Sequence, residues 1–407
     1  MTYRQSTEWL FNQFPSYQII GKVAYNPDIT NTINLCNVLK IKYENIPFVH
    51  VAGTNGKGST TQHIASISIE KGLKTGVFTS PHLVDFRERI SVNSTLISEE
   101  YVIQFCEKIK IAKLNFSPSF FEITFAMALA YFQFTECELC IIETGIGGRL
   151  DATNIITPIL SIITNIGFDH TDLLGDTITK IAKEKAGIIK KNIPVVIGEY
   201  HPESMPVFIE KAKIQNAAIH FAFHKEFDYK YYHEGYKSIN ETTIRTAIEL
   251  LKDRFKFTDE HIENGIKNLS KNTGFRARMQ TIQTHPLVII DVAHNLDGIH
   301  QVLKEISKKT KGKLHIIYGA SADKDIESII SIFPAQSSIY FCEFSSERAT
   351  KLAKFKEIST KINQSCSFFK SIKEAYPITK NTANQDDTIL IMGSFFLISD
   401  FLINFNV

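Results

Sequence analysis

The sequence predicts an α/β protein of two domains, each built on a mostly parallel sheet. Three observations predict it. Short apolar runs rich in Val and Ile alternate with helical stretches. Those runs are continuously hydrophobic, which a strand covered by helices on both faces requires. The alternation pauses near residue 272 and begins again near residue 286. Strand and helix in strict succession is the order of a parallel α/β sheet.

The first cycle opens with "IPFVHVAG" (46–53) as a buried strand and 59–71 as a helix. "KTGVFTS" (74–80) is the next strand, and a helix over 122–134 leads into the strand "LCIIETG" (139–145). "ILSIITNIG" (159–167), a helix over 176–190 and "IPVVIGE" (193–199) follow. The aromatic, charged segment 221–240 reads as a short β element closing the domain, with helices after it at 241–253 and 258–270. In the second cycle "PLVIIDVAHN" is a strand with a polar end and "LDGIHQVLKEISKK" a helix. "KLHIIYGA", "SSIYFCEF" and "TILIMGSFFLISDFL" supply three more strands. The expected division is 1–275, a P-loop-type domain, and 276–407, a smaller Rossmann-like domain.

Composition narrows the function classes. With 407 residues, 43% hydrophobic and 22% charged, the chain has the make-up of a soluble globular protein with room for two or three domains. A net charge of +2 with dispersed lysines argues against a nucleic-acid partner. No run of about 18 apolar residues occurs, and the first residues lack the basic-then-apolar pattern of a signal peptide. The expectation is cytoplasmic, with no membrane partner. Six cysteines are too few for a disulfide framework. Cys137 and Cys140 form one CxxC at a strand start and read as buried reduced thiols, with no second pair to complete a zinc site.

Ligands of a doubly wound sheet gather beyond the carboxyl ends of its strands, and polar residues fall there repeatedly. The first strand runs into "GTNGKGST" (53–60). This is not the usual G-x-x-x-x-G-K-[ST] spelling, because Gly58 separates Lys57 from Ser59. The physical parts are all present. Gly53, Gly56 and Gly58 free the backbone to turn its N–H groups inward, Lys57 supplies a cation, and Ser59 or Thr60 offers a hydroxyl for Mg²⁺ at the helix start. Other strands end at Ser80, at Glu143, and near Asp169 and His170. A lone carboxylate closing an apolar strand is costly. A metal ion, an ion pair or a cap for the following glycine-rich turn satisfies Glu143.

"KIAKEKAGIIK" (180–190) reads as a solvated lysine face except at "EKAGI", where Gly187 interrupts the pattern and Lys185 lies one turn from apolar residues. Arg276 and Arg278 are either a surface pair or a bidentate phosphate contact. Asp291, His294 and Asn295 form a second strand-end cluster. The helix starting at Ser119, Phe120 and Phe121 is core for most of its length, with a first turn suited to a flat aromatic ligand.

Together these pieces resemble the folylpolyglutamate synthases of the Mur ligase superfamily, which are often also dihydrofolate synthases. The carriers are "GTNGKGST", "SPHL" with "ERI", "SFFE", "ETGIGGRLDATN", "DHTDLLG", "KEKAGI" and "DVAHN", in this order along nearly the whole chain. The resemblance implies ATP-dependent ligation of L-glutamate to a folate, or to dihydropteroate, through an acyl phosphate. It implies Thr54, Asn55, Gly56, Lys57, Gly58, Ser59, Thr60, Asn240, Arg278 and Asp291 as ATP contacts, with Lys57 on the β- and γ-phosphates. It implies two Mg²⁺ sites, one held by Ser59, Ser80 and Glu143, the other held or supported by Glu143, His170 and a carbamylated Lys185. It places His294 in an interdomain cleft near glutamate or phosphate, and Ser119, Phe121, Leu150 and Asp151 in the pteroyl pocket. The expected catalytic set is Lys57, His170, Lys185 and His294, in a monomer acting on small molecules.

The chain departs from the family at "RARMQ", where Pro-Gly-Arg is usual, at Leu296 in place of proline, and at "SADKD" in place of "HDKD". The segment 19–30, where the pterin loop is expected, matches poorly. Two alternatives stand beside this reading: another Mur-family amino-acid ligase, whose N-terminal substrate domain would not fit before residue 50, and a P-loop kinase or switch, which leaves "DVAHN" unexplained.

Overall fold

The computed structural model of the protein describes residues 1–14, 16, 21, 27–223 and 236–406. They form two compact units, Met1–Phe275 and Arg276–Val407.

The first unit holds eight strands: β1 Phe48–Ala52, β2 Thr75–Phe78, β3 Ile90–Val92, β4 Thr95–Leu96, β5 Leu139–Glu143, β6 Leu160–Ile163, β7 Val195–Ile197 and β8 Ile219–Phe221. Their order across the sheet is β4-β3-β2-β5-β1-β6-β7-β8. β1 is central and parallel to both neighbours, with Val51 opposite Glu143 of β5 and Ile162 of β6. Every residue of β1, β5 and β6 is buried, as their unbroken apolar character requires. Period-2 geometry sends alternate side chains to opposite faces. Val49 and Val51 meet Ile64, Ile67 and Ile248 on one side, while Phe48 joins Phe78, Phe125 and Phe132 on the other.

Two strands of this unit escape the sequence reading. β3 and β4 extend the sheet antiparallel through the hairpin turn Asn93–Ser94, both with positive φ. Asn-Gly is the strong sequence signal for such a turn, and Asn-Ser hides it. The helix expected over 176–190 ends at Lys185 and continues as one 3₁₀ turn, Ala186–Ile188. A Cβ on Gly187 would strike the backbone of Arg149, so the glycine is there for close approach. Of the expected β element over 221–240, only the end of β8 at Phe221 is a strand; 224–235 lie outside the described residues, and the helix Tyr236–Phe255 has begun before 240. Most of the expected pterin loop also lies outside the described residues.

The second unit holds β9 Gln280–Thr284, β10 Leu287–Ile290, β11 Leu314–Tyr318, β12 Ser338–Cys342, β13 Ser365–Phe369 and β14 Thr388–Met392. The order is β13-β12-β11-β14-β10-β9, parallel except for β9. "TILIMGSFFLISDFL" is not one strand. Gly393 adopts φ 113, the Ser394 hydroxyl accepts from the Phe396 N–H at 3.1 Å, and a helix runs over Phe395–Phe405. A glycine turn followed by a serine cap stops the strand and starts the helix.

Candidate active site

β1 delivers the chain into the loop 53–56 and then the helix Lys57–Glu70. Gly56 is the N-cap at φ 82 and no side chain caps this end. The first-turn N–H groups of a helix have no intrahelical partner, so this end presents donors and the positive pole of the helix dipole. The rim of the loop is fixed from β6. The Asn165 carbonyl accepts from Thr54 N–H at 3.0 Å, and its side-chain Oδ1 accepts from Asn55 N–H at 2.8 Å. The Thr54 hydroxyl bridges the Gly167 N–H (3.0 Å) and carbonyl (3.1 Å). The Thr164 hydroxyl donates to the Asn55 carbonyl at 2.6 Å.

Two lysines converge on one backbone oxygen. Lys57 Nζ lies 3.0 Å and Lys185 Nζ 2.7 Å from the Gly53 carbonyl. Lys185 is buried, and desolvation lowers its pKa to about 7; the Lys57 charge pushes the same way, against Asp169 and Asp151. The Glu143 carboxylate reaches the first turn of the helix: a Cβ on Gly58 would sit 3.5 Å from Oε2. Ser80 N–H donates to that oxygen at 3.2 Å, and the buried Arg89 guanidinium is electrostatically coupled to it. Glu143 is therefore partnered within the protein. Asn240 closes the loop from the helix Tyr236–Phe255, its Oδ1 standing 2.6 Å from where a Gly56 Cβ would be. The structure thus brings Gly56, Lys57, Gly58, Ser80, Glu143, Lys185 and Asn240 together.

Ser59 is half-buried, and its carbonyl accepts from His63 Nδ1 at 2.7 Å. Thr60 is fully buried, and its hydroxyl has no partner among the described residues. His170 adopts φ 49 and caps the one-turn helix Thr171–Leu174, with Nε2 3.9 Å from Asp169 Oδ2. Among the described residues no three His, Cys, Asp or Glu side chains converge as a metal site. The expected ligand set contains only two residues of those types, Glu143 and His170. Hydroxyls beside a carboxylate at an uncapped helix start are oxygen donors of the kind Mg²⁺ takes, so the residues present fit that ion.

The expected pteroyl-pocket residues are placed by the protein's own bonds. The Ser119 hydroxyl accepts from Glu122 N–H at 3.2 Å, and Glu122 returns the bond to Ser119 N–H. The serine is thus a helix cap. Phe121 packs against Phe78 at 5.6 Å and meets the backbone of Gly145. Leu150 is half-buried. Asp151 is buried, and its Oδ2 accepts from Gly145 N–H and Ile146 N–H, each at 2.9 Å. Its carboxylate shapes the loop after β5.

In the second unit, the Asp291 carboxylate accepts from Met279 N–H and Ala293 N–H, each at 2.7 Å. Arg278 Nη1 stands 3.9 Å from Asp291 Oδ1, and its guanidinium lies 5.7 Å from the Phe395 ring centre. His294 Nδ1 lies 3.0 Å from the Val292 carbonyl, and its ring faces Phe395 at 5.8 Å. Arg278, Asp291 and His294 therefore form one cluster. Sequence reasoning passed over Phe395, Thr164 and Asn165, and met Arg89 only as part of "ERI", with no role given to it. Only Asn165, next after Thr164 at the polar end of an apolar run, carried a signal that could have singled it out.

The chain matches the Mur ligase middle domain over residues 51–262 and the Mur ligase glutamate ligase domain over 277–395. It is 30% identical over 433 residues to the dihydrofolate synthase/folylpolyglutamate synthase of Bacillus subtilis, covering 98% of both chains. The Escherichia coli FolC structure, solved with DHPP and ADP, shares the fold at a TM-score of 0.88 and 24% identity, covering 100% of this chain and 98% of that one. A bifunctional folylpolyglutamate synthase/dihydrofolate synthase solved with Mn, AMPPNP and L-glutamate superposes at a TM-score of 0.85 and 24% identity, covering 99% and 98%. With both domain models matched in order and a curated relative aligned end to end, the chain belongs to the dihydrofolate synthase/folylpolyglutamate synthase family of Mur ligases.

Proposed function

We infer that the protein is an ATP-dependent ligase that adds L-glutamate to the carboxylate of folates, and we propose that it accepts dihydropteroate as well. The observation that carries the site reading is the Lys57 ammonium, held 3.0 Å from the Gly53 carbonyl at an uncapped helix start. A triphosphate and a carboxylate repel each other, so a ligase joining them needs fixed positive charge and aligned N–H donors there.

The carboxylate oxygen attacks the γ-phosphorus as the bond to ADP breaks, giving an acyl phosphate. The glutamate amine then attacks the carbonyl carbon, phosphate leaves, and the nitrogen loses its proton. We assign the loop Thr54–Thr60, with Lys57 and Asn240, to the triphosphate. Ser59, Ser80 and Glu143 would hold one Mg²⁺, and Glu143, His170 and Lys185 would hold or support a second. Magnesium, when bound, offsets charge on the phosphates. In the second unit we assign Arg278 and Asp291 to ATP and His294 to glutamate or phosphate. Phe121 and Leu150 would face the pteroyl group. Ser119 and Asp151, whose polar atoms serve the protein, would shape that wall.

We also propose that Lys185 carries a carbamate. Carbon dioxide adds only to a neutral amine, releasing one proton. A reference lysine, with a pKa of about 10.4, is almost wholly charged at neutral pH. Burial that brings Lys185 to about 7 supplies the neutral form, and Lys57 beside it favours the resulting anion. All assigned residues lie in one chain, and we propose a monomer acting on small molecules. The purified protein should release ADP when given ATP, glutamate and tetrahydrofolate, and again with dihydropteroate. No ADP from either would overturn the reading; ADP from tetrahydrofolate alone would restrict it to one activity.

A further inference from the structure

His50 lies in the middle of β1, fully buried, on a strand otherwise made of apolar residues. Its Nε2 stands 2.9 Å from the hydroxyl of Thr153. That hydroxyl makes a short hydrogen bond to Asp151 Oδ1, which also accepts from Thr153 N–H at 3.0 Å. The second oxygen of Asp151 gathers Gly145 N–H and Ile146 N–H. All three side chains are buried.

The proton directions follow. Four donors face the Asp151 carboxylate, so it acts as an acceptor, and the single proton of the Thr153 hydroxyl points to it. The hydroxyl then meets His50 with a lone pair, and His50 Nε2 must carry the hydrogen. Nδ1 is left bare, and it has no partner among the described residues. Beyond Asp151 the chain of contacts continues into the candidate folate wall. A Cβ on Gly145 would lie 2.7 Å from the Phe121 ring and 3.1 Å from Asp151 Oδ2, so this backbone is wedged between the two.

We infer that His50 and Thr153 are positioning residues for folate: through Asp151 they fix Gly145 and Ile146, and with them the seat of Phe121. The inference rests on the reading of Phe121 as a folate-facing side chain. An apolar residue at 50 would leave the Thr153 lone pair unmet, and an apolar residue at 153 would leave both His50 and Asp151 short of a partner. The loop would then be free to shift by the few tenths of an ångström that close packing otherwise forbids.

The test pairs Thr153→Val, which keeps shape and deletes the hydroxyl, with Thr153→Ser, which keeps the hydroxyl. Thr153→Val should raise KM for the folate substrate about tenfold, the scale of one lost charge-assisted hydrogen bond. KM for ATP and kcat should stay within about threefold, the pattern of lost ground-state binding. Thr153→Ser should restore the folate KM. An unchanged folate KM in Thr153→Val, or a parallel fall in every parameter that serine does not rescue, would overturn the proposal. A second readout needs no activity. Imidazole ¹⁵N spectra of the whole protein, with the His50 signal assigned by its loss in His50→Gln, should show hydrogen on Nε2 alone. A hydrogen on Nδ1 would overturn the relay in a folded, unaltered chain. Failure of the wild type to join glutamate to any folate would sink the functional reading, while the ring spectra would still decide the hydrogen-bond chain.

Discussion

At the residue scale the phosphate loop invites the sharpest test. Lys57 is the first residue of the uncapped helix, and His170 is held at a left-handed backbone position beside Asp169. Removing one preorganised charge-stabilising group lowers turnover about 10²-fold or more. Initial rates of glutamate ligation in Lys57→Ala and His170→Ala should fall by at least that much, and a near-normal rate in either would remove that residue from the machinery. Lys185 gives a stability signature. Between pH 7 and about 10.5 the unfolded chain holds a proton on this amine that the folded chain has released. Stability therefore rises with pH across that window, and below pH 7, where both states are protonated, the gain is absent. The slope is at most about 1.4 kcal/mol per pH unit for one group. Urea unfolding in CO₂-free buffer should show that slope in the wild type and lose it in Lys185→Met; equal slopes would contradict the buried, neutral lysine. The loop and the strand-end residues were legible because glycines, a lysine and hydroxyls cluster at one spacing. His50 was not, because a single polar residue inside an apolar run has no periodicity to betray it; Arg89 and Thr153 lie inside "ERI" and "GGRLDATN", but local sequence does not show which distant group each one meets. Glu143 was read as needing a partner. The sequence could not show that Ser80 and Arg89, both distant along the chain, already provide one.

At the element scale, burial on both faces decides what can be read. β1, β5, β6 and β10 to β12 are long apolar runs, and each stood out in the sequence. β9 and β13 lie at the edges of the second sheet with half-exposed, polar faces, and β3 with β4 joins through a weak turn signal. Such segments owe their strand state to a neighbour's free backbone groups, which local sequence does not contain. Gly187 shows two effects in competition. Helix propensity alone makes Gly187→Ala favourable by roughly 1 kcal/mol. Close approach opposes it, since the new methyl would meet the Arg149 backbone, where Arg149 N–H already donates to the Glu184 carbonyl at 2.7 Å. Overpacking against backbone costs about 1–3 kcal/mol, so packing wins. Gly187→Ala should lower the urea midpoint with an unchanged slope; a raised midpoint would show that the segment after Lys185 yields easily.

At the scale of the molecule, the apolar residues divide as the two units do. The large clusters around Phe48, Phe125 and Phe132, around Val49, Val51 and Ile248, and around Val195 and Phe208 draw only on the first unit. The cluster around Ile289, Tyr318, Phe341 and Phe355 draws only on the second. A region with its own sheet and its own core has what independent folding requires. Expressed alone, residues 276–407 should therefore unfold in urea in one cooperative step, with tryptophan-free near-UV signals from Tyr318 and Tyr340 changing together with the far-UV signal. A gradual, non-coincident loss would mean that this core is insufficient without the first unit. In the full chain the same division predicts selective stabilisation. The proposed triphosphate cradle, Lys57 and Asn240 belong to the first unit, and a ligand at 100 times its Kd stabilises the state it binds by about 2.7 kcal/mol. ADP with magnesium should raise the midpoint of the transition that reports Trp9, which lies in the first unit. The isolated second unit should respond less to the same addition, because Arg278 and Asp291 alone provide no N–H cradle and no counterpart of Lys57. Equal stabilisation of the isolated second unit would move the main nucleotide site out of the loop around Lys57.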